Sequence, residues 1–354
     1  MRILVTGACG FFGSHVAADL KAAFADAEVV GIDNLVRRGS ETNIAALKRV
    51  GVTVHHGDIR VADDLADLPP CNWIVDCAAL PSVLAGVNGG TAQLVGHNLV
   101  GSLHLLEKCR RDGAGFIIVS SSRVYSIEAL NAIPLREAET RFTVDASKLL
   151  PPGLSPGGIT EGFSTLAPVS LYGGTKLASE IMALEYGSTF EFPVWINRCG
   201  VIAGPGQFGR IDQGIFSYWI YRWLLKRPVS YIGYGGRGLQ VRDFIAPRDL
   251  TRLLEKQIRS PKAQVPRVLN VGGGLERSMS LLELSQYCAS ELGPGVTPGS
   301  EINTRRYDIP YYVTDSAEAQ RVWDWKPEER REETLGAIAR WARDHIDQLD
   351  SFSA

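Results

Sequence analysis

The sequence predicts an α/β fold, a doubly wound parallel sheet followed by a smaller C-terminal unit. Three observations carry the prediction. Short apolar runs recur along residues 1–200 with helix-like segments between them, the first run leads into a glycine-rich turn, and beyond Gly204 the rhythm gives way to turn-rich sequence. Nearly continuous apolar strands alternating with helices imply a parallel sheet covered on both faces. In such sheets ligands sit beyond the carboxyl ends of the strands.

The first strand, Ile3 to Thr6, runs into Gly7-Ala8-Cys9-Gly10-Phe11-Phe12-Gly13 and a helix-like stretch from His15 to Ala25. Strand, tight turn and helix start place backbone N–H groups against a dinucleotide pyrophosphate. Gly7 serves the turn, Gly10 the approach of the phosphates and Gly13 the packing of helix on strand, with Phe11 and Phe12 in the same candidate cofactor loop. The spacing is G-x-x-G-x-x-G rather than G-x-G-x-x-G. The second strand, Val29 to Ile32, ends in Asp33-Asn34. An acid about twenty residues after the turn accepts both hydroxyls of an adenosine ribose and repels a 2′-phosphate, which points to NAD. Arg37 and Arg38 argue for NADP, unless both sit on a solvated loop.

The third strand, Val52 to His55, leads to Gly57-Asp58-Ile59-Arg60, where a carboxylate and an apolar side chain suit an adenine ring. Asp58 equally suits a helix cap. After the fourth strand, Trp73 to Cys77, the small residues Ala78 and Ala79, then Leu80-Pro81-Ser82, let cofactor or substrate approach the backbone. The fifth strand, Phe116 to Ser120, ends in Ser120-Ser121-Ser122, and the sixth is Val194 to Asn197. Between them Pro151 to Gly158 reads as a loop, and Tyr172-Gly173-Gly174-Thr175-Lys176 opens a helix-like run. Tyrosine and lysine four apart share a helix face. An ammonium about 4 Å from the phenol favours the phenolate by roughly 4 kcal/mol at an effective dielectric near 20, so Lys176 is expected to lower the pKa of Tyr172. Such a phenolate takes the proton of a sugar hydroxyl while hydride leaves the same carbon. Farther on, Phe216 to Trp223 reads as a buried helix face in preference to a sugar-stacking platform, and Leu281 to Leu292 as a helix.

The dinucleotide-binding domain is expected over residues 1–203 plus 238–264, and a domain closing over the sheet ends over 204–237 plus 265–354. At 354 residues and 45% hydrophobic content, the chain has enough apolar sequence for a full core. A net charge of −2 gives no basic field for nucleic acid. With the first strand starting by Arg2, no leader is expected, and no apolar run has the roughly 20 residues of a membrane span. Six cysteines without C-x-x-C spacing, several inside apolar runs, fit free thiols in a cytoplasmic protein. His55 and His56 are adjacent and would face opposite ways on a strand, so no structural metal is expected.

These motifs together resemble the extended short-chain dehydrogenase/reductase family of nucleotide-sugar epimerases and dehydratases. The resemblance rests on TGACGFFGSH at 6–15, GIDN at 31–34, GDIR at 57–60, SSSRVYS at 120–126, YGGTK at 172–176, QVRDF at 240–244 and DIPYYVTD at 308–315. It implies a Rossmann fold with a substrate-binding C-terminal domain. It further implies bound NAD, a nucleotide-sugar substrate and a homodimer. By this resemblance Ser121 hydrogen-bonds the reacting oxygen, Tyr172 is the base, and Lys176 also holds the nicotinamide ribose. Arg242 and Arg305 would hold the substrate diphosphate, with Asp308 near the nucleoside ribose. Dehydratases of the family carry Asp-Glu where this chain has Ser122-Arg123, so elimination is not expected, which leaves epimerisation, favoured here, or oxidation with decarboxylation. QFG at 207–209 with DQG at 212–214, Gly158-Ile159 with Glu161, and QVRD at 240–243 are similar to the CDP-tyvelose (CDP-paratose) 2-epimerases. Ala203, Gly206, Ser122 and Arg123 depart from that subgroup. Pro81, Ser82, Ser122, Arg123 and Gln207 join Arg242, Arg305 and Asp308 as candidate substrate contacts. The alternatives are a UDP-hexose or UDP-uronate 4-epimerase and, from another class, a non-catalytic NAD sensor, against which Ser121, Tyr172 and Lys176 argue.

Overall fold

The computed structural model describes residues 1–352. Its strands, in chain order, include β1 (Arg2–Thr6), β2 (Glu28–Asp33), β3 (Thr53–His56), β4 (Trp73–Asp76), β5 (Gly115–Ser121), β6 (Val194–Cys199), β7 (Val201–Ile202), β8 (Val241–Ile245), β9 (Val268–Val271), β10 (Ser278–Ser280) and β11 (Tyr311–Tyr312). Seven of them form one parallel sheet in the order β9-β6-β5-β4-β1-β2-β3. The order reverses between β1 and β4, which opens a crevice at their carboxyl ends.

Alternation along each strand decides which layer it serves. Ile3, Val5 and Val29 face the helices Phe11–Ala23 and Pro247–Arg259, packing on Val16, Leu20, Leu250 and Leu254. Leu4, Val30 and Ile32 face the other way, into a layer holding Leu105, Leu106 and Cys109 of the helix Gly101–Asp112 and Ala183 of the helix Ser170–Thr189. Both sheet faces are therefore covered, which is why the strands read as unbroken apolar runs. All six cysteines are free, and all but Cys77 are buried.

The sheet takes a seventh strand, β9, from beyond the expected boundary at residue 264. Val268 to Val271 pairs with Ile196 to Cys199, and its apolar run is too short to be told from a core segment by periodicity. The other elements gather around β8, which pairs with β7 and β11 in parallel and with β10 antiparallel. Helices Ile215–Leu224, Leu281–Glu291 and Arg331–Asp344 close this side through Phe216, Trp219, Leu284, Leu335 and Ile338. Most of Phe216 to Trp223 is buried, but the expectation of a purely structural face is corrected, because Phe216, Tyr218 and Trp219 also line a cleft beside Arg242 and Asp308. Among the described residues no helix is long and apolar enough to cross a membrane.

Candidate active site

The glycine turn has the geometry a diphosphate needs. Gly7 has φ +60° and Gly10 precedes the first helical turn, which starts at Phe11 rather than His15. A Cβ on Gly13 would lie 2.0 Å from the Gly7 carbonyl oxygen, so only glycine lets the helix sit this close to the turn. A cleft of about 1080 Å³ opens here, bordered by Gly7, Gly10, Asp33, Asn34, Ala78 and Ala79. Its glycine lining and the acid at the end of β2 fit a dinucleotide.

Several expected contacts have other duties. Asp33 does line the cleft, but its carboxylate also accepts from the backbone N–H groups of Cys9 (2.9 Å) and Leu35 (2.8 Å), tying the glycine turn to the loop after β2. Asp58 neither caps a helix nor lines the cleft. Its carboxylate pairs with Arg60 at 2.6 Å and accepts from Asn34, and Arg60 holds it well below the usual carboxylate range. Ile59 lines the cleft beside Gly57. The Phe12 side chain packs into the core and the Phe11 ring against His15, so this pair offers only backbone N–H groups to a ligand. Arg37 is not on a solvated loop, because its guanidinium donates to Gln213 Oε1 at 2.8 Å.

A second cleft, about 1110 Å³, adjoins the first. Arg123, Arg242, Arg305, Arg306, Asp212 and Asp308 contribute to its wall. The four arginines exceed the two aspartates, an excess suited to a diphosphate ester. Arg242 pairs with Asp308 at 3.0 Å. Pro81 borders the cofactor cleft instead, and Ser82 hydrogen-bonds Asp212 to hold the loop bearing it. Ser122 and Gln207 are not in the wall. Gln207 is buried, donating to the Ile202 carbonyl and accepting from Ser217. The wall comes from its neighbours Ile211, Asp212 and Gln213, signalled in sequence only by the DQG segment, and from Val83, Leu84 and Tyr307, which carried no signal.

Ser121, Tyr172 and Lys176 lie near both clefts: Arg123 of the substrate cleft acts on the Tyr172 phenol, and Cys77 of the cofactor cleft is close enough to feel the Lys176 ammonium. Ser121 ends β5 and accepts from the Arg123 backbone N–H at 3.1 Å, which starts the short turn Ser122–Val124. The turn sits against the helix Ser170–Thr189 because residue 173 is glycine, where a Cβ would lie 2.1 Å from the Arg123 carbonyl oxygen. The Ser121 hydroxyl is thereby brought beside the Tyr172 phenol. Burial pushes that phenol above its ordinary value, opposed by Ser121 and the Arg123 guanidinium. The expected lowering by Lys176 is thus corrected, since the groups that lower it are these two. Lys176 is 1% exposed. Among the described residues no hydrogen bond or ion pair engages its ammonium, which leaves it available to ribose hydroxyls.

The profile of a family described as "NAD dependent epimerase/dehydratase family" matches residues 3–272. The chain belongs to that family. It is similar to CDP-paratose 2-epimerase of Salmonella typhi, 27% identical over 96% of this chain and 99% of the relative. It is also similar to UDP-glucuronate 4-epimerase of Thermodesulfobacterium geofontis, 25% identical over 98% of each. The crystal structure of UDP-glucuronic acid 4-epimerase from Bacillus cereus, in complex with UDP-glucuronic acid and NAD, superposes with a TM-score of 0.75 at 24% identity, over 97% of this chain and 99% of that one. The Rossmann fold is shared, and the protein is an NAD-dependent enzyme of the nucleotide-sugar epimerases and dehydratases.

In this family member the QVRDF segment does two things. Arg242 reaches the substrate cleft, while Asp243 is fully buried. Asp243 accepts from the N–H groups of Gly273 (2.9 Å) and Gly274 (3.2 Å) and from Thr314 Oγ1 (3.1 Å), tying β8 to the loop after β9. Burial pushes its carboxyl up to about 6. The folded chain therefore keeps a proton that the unfolded chain loses near pH 3.8. The associated stability is complete below that pH and is lost as pH rises through about 6. Asp243→Asn removes this titration. Relative to the variant, the wild type is expected to lose up to about 3 kcal/mol between about pH 4 and pH 7, read from urea denaturation across a pH series. Parallel curves for the two proteins would show that the carboxyl titrates normally.

Proposed function

We propose that this enzyme epimerises a nucleotide-activated hexose by transient oxidation and reduction at one carbon, with a CDP-hexose epimerised at C2 as the substrate and position. The observation that carries epimerisation over dehydration is the absence, among the described residues, of an available acid in the substrate cleft. Asp308 is paired with Arg242, Asp212 is held by Ser82, and the positions after Ser121 are Ser122 and Arg123. Expelling a hydroxyl needs a proton donor at that hydroxyl, whereas an epimerase needs only the groups that move one proton on and off oxygen.

Tyr172 takes the hydroxyl proton and later returns it, Ser121 hydrogen-bonds the same oxygen, Ser121 and Arg123 favour the phenolate, and Lys176 holds ribose hydroxyls. Bound NAD supplies the acceptor and then the donor of hydride at the sugar carbon. The keto sugar turns over between the two half-reactions, so the cofactor ends unchanged. Similarity to the Salmonella relative and the QFG and DQG segments support the CDP-sugar and C2 reading. A homodimer belongs to the same reading, supported by exposed Leu171 and Ile181 on the catalytic helix. One observation favours a second reading, a UDP-uronate 4-epimerase, because Arg123 beside Tyr172 suits a sugar carboxylate.

The test is to incubate the protein with CDP-, UDP- and dTDP-hexoses and uronates in deuterated water without added NAD and to follow the sugar protons by NMR. Interconversion of a CDP-hexose at C2 with no deuterium entering at that carbon is expected. Conversion only of a UDP-uronate at C4 selects the second reading. Deuterium wash-in, or accumulation of NADH with net oxidation, overturns hydride return.

A further inference from the structure

We infer that Arg37 and Arg210 grip the diphosphate of the bound dinucleotide together with the glycine turn, Arg210 being delivered by a hairpin that also walls the substrate cleft. Arg210 and Gln213 exchange backbone hydrogen bonds of 2.7 and 3.1 Å, which closes the hairpin. Arg210 lines the cofactor cleft, whereas Ile211, Asp212 and Gln213 line the substrate cleft. The hairpin therefore lies between the two.

It is pinned from both sides. Arg37 donates to Gln213 Oε1 (2.8 Å) and to the Phe208 carbonyl (3.3 Å), Ser82 hydrogen-bonds Asp212, and Arg305 donates to the Ile211 carbonyl (3.4 Å). Gly39, at φ +95°, lets the loop after β2 pack on the Phe208 ring, where a Cβ would come within 2.8 Å of Cε2. These anchors hold two guanidinium groups at one cleft. Burial and the nearby Arg210 both pull Arg37 below the ordinary arginine range, with only Asp212 opposing them.

Neither arginine has a carboxylate within ion-pair distance among the described residues, and Asp33, the acid on the same rim, already accepts from two backbone N–H groups. Like charges gathered in a partly buried cleft are unfavourable until an anion enters. The same cleft is lined by Gly7 and Gly10 of the turn, where backbone N–H groups await phosphate. The paired forks of two arginines complete that site. A ribose 2′-phosphate would be the competing anion, but it would meet the Asp33 carboxylate.

The inference rests on NAD dependence alone and holds for either substrate reading. Arg210 is exposed, so Arg210→Gln leaves the packing intact, and Arg37→Gln serves as the second variant. The measurements are NAD retained per chain after gel filtration of the purified protein, and NAD affinity by calorimetric titration at low and high salt. A melting curve verifies the fold. Each variant is expected to bind NAD about tenfold or more weakly, with a shallower salt dependence than the wild type. Wild-type NAD affinity in folded Arg210→Gln, or a loss confined to NADP, overturns the assignment.

Discussion

Replacing Tyr172 with phenylalanine is expected to lower turnover by about 10³-fold or more while NAD stays bound, because a positioned acid–base group contributes about 10²–10⁴ and here one phenol must act in both half-reactions. The change removes only an oxygen from a side chain that is 6% exposed, so the helix Ser170–Thr189 and the turn Ser122–Val124 keep their packing. Retained NAD together with lost turnover separates chemistry from cofactor binding. Ser121→Ala should cost less, since Arg123 still acts on the phenol. The readout is single-turnover conversion of the substrate identified by NMR. A Tyr172→Phe protein with wild-type turnover would remove this phenol from the chemistry.

The largest expected loss of stability comes from Glu180→Ala. Glu180 lies one turn beyond Lys176 on the same helix and is 2% exposed. It accepts from Arg198 Nη2 (2.7 Å) and Nε (3.0 Å) and from the Ser120 hydroxyl. Arg198 in turn lies over the Tyr125 ring, 5.3 Å from its centroid, and Tyr125 donates to Asn270 at 2.6 Å. Removing the carboxylate leaves the guanidinium charge buried without its partner, a change that costs about 3–5 kcal/mol. At about 2–4 °C per kcal/mol for larger domains, the melting temperature should fall by roughly 6–20 °C. Glu180→Gln keeps the shape and should lose less. A fall below about 1 kcal/mol in urea denaturation would mean that water reaches the pair and screens it. The network also joins β5, β6 and the catalytic helix, so the surviving Glu180→Ala protein should show reduced turnover through displacement of Ser121.

The parallel strands and the glycine turn were legible because each depends on residues close together in the chain, whereas the expected action of Lys176 on Tyr172 was not what the fold arranged. Apolar alternation records which faces are covered, and a helix start after glycine records a ligand-ready backbone. Site residues on loops were read less well. Asp58, Pro81, Ser82 and Gln207 are of types that suit ligand contact, yet Asp58 holds Asn34, Ser82 holds Asp212, Gln207 stays with the Ile202 carbonyl and Pro81 borders the other cleft. A loop residue's chemistry is written in its name, but the direction of its side chain is set by whatever packs against the loop.

By itself the sequence determined the sheet, its cofactor turn and the class of chemistry, since these follow from local periodicity, glycine conformation and fixed spacing on one helix. The tertiary structure alone decided how charge is distributed. Arg123 meets Tyr172 because Gly173 admits its turn, Asp243 is buried against the loop after β9 while Arg242 faces the cleft, and Arg37 and Arg210, distant in sequence, arrive at one cavity. The physical reason is that electrostatic energy depends on distance and burial, and for residues brought together from separate segments both are properties of packing.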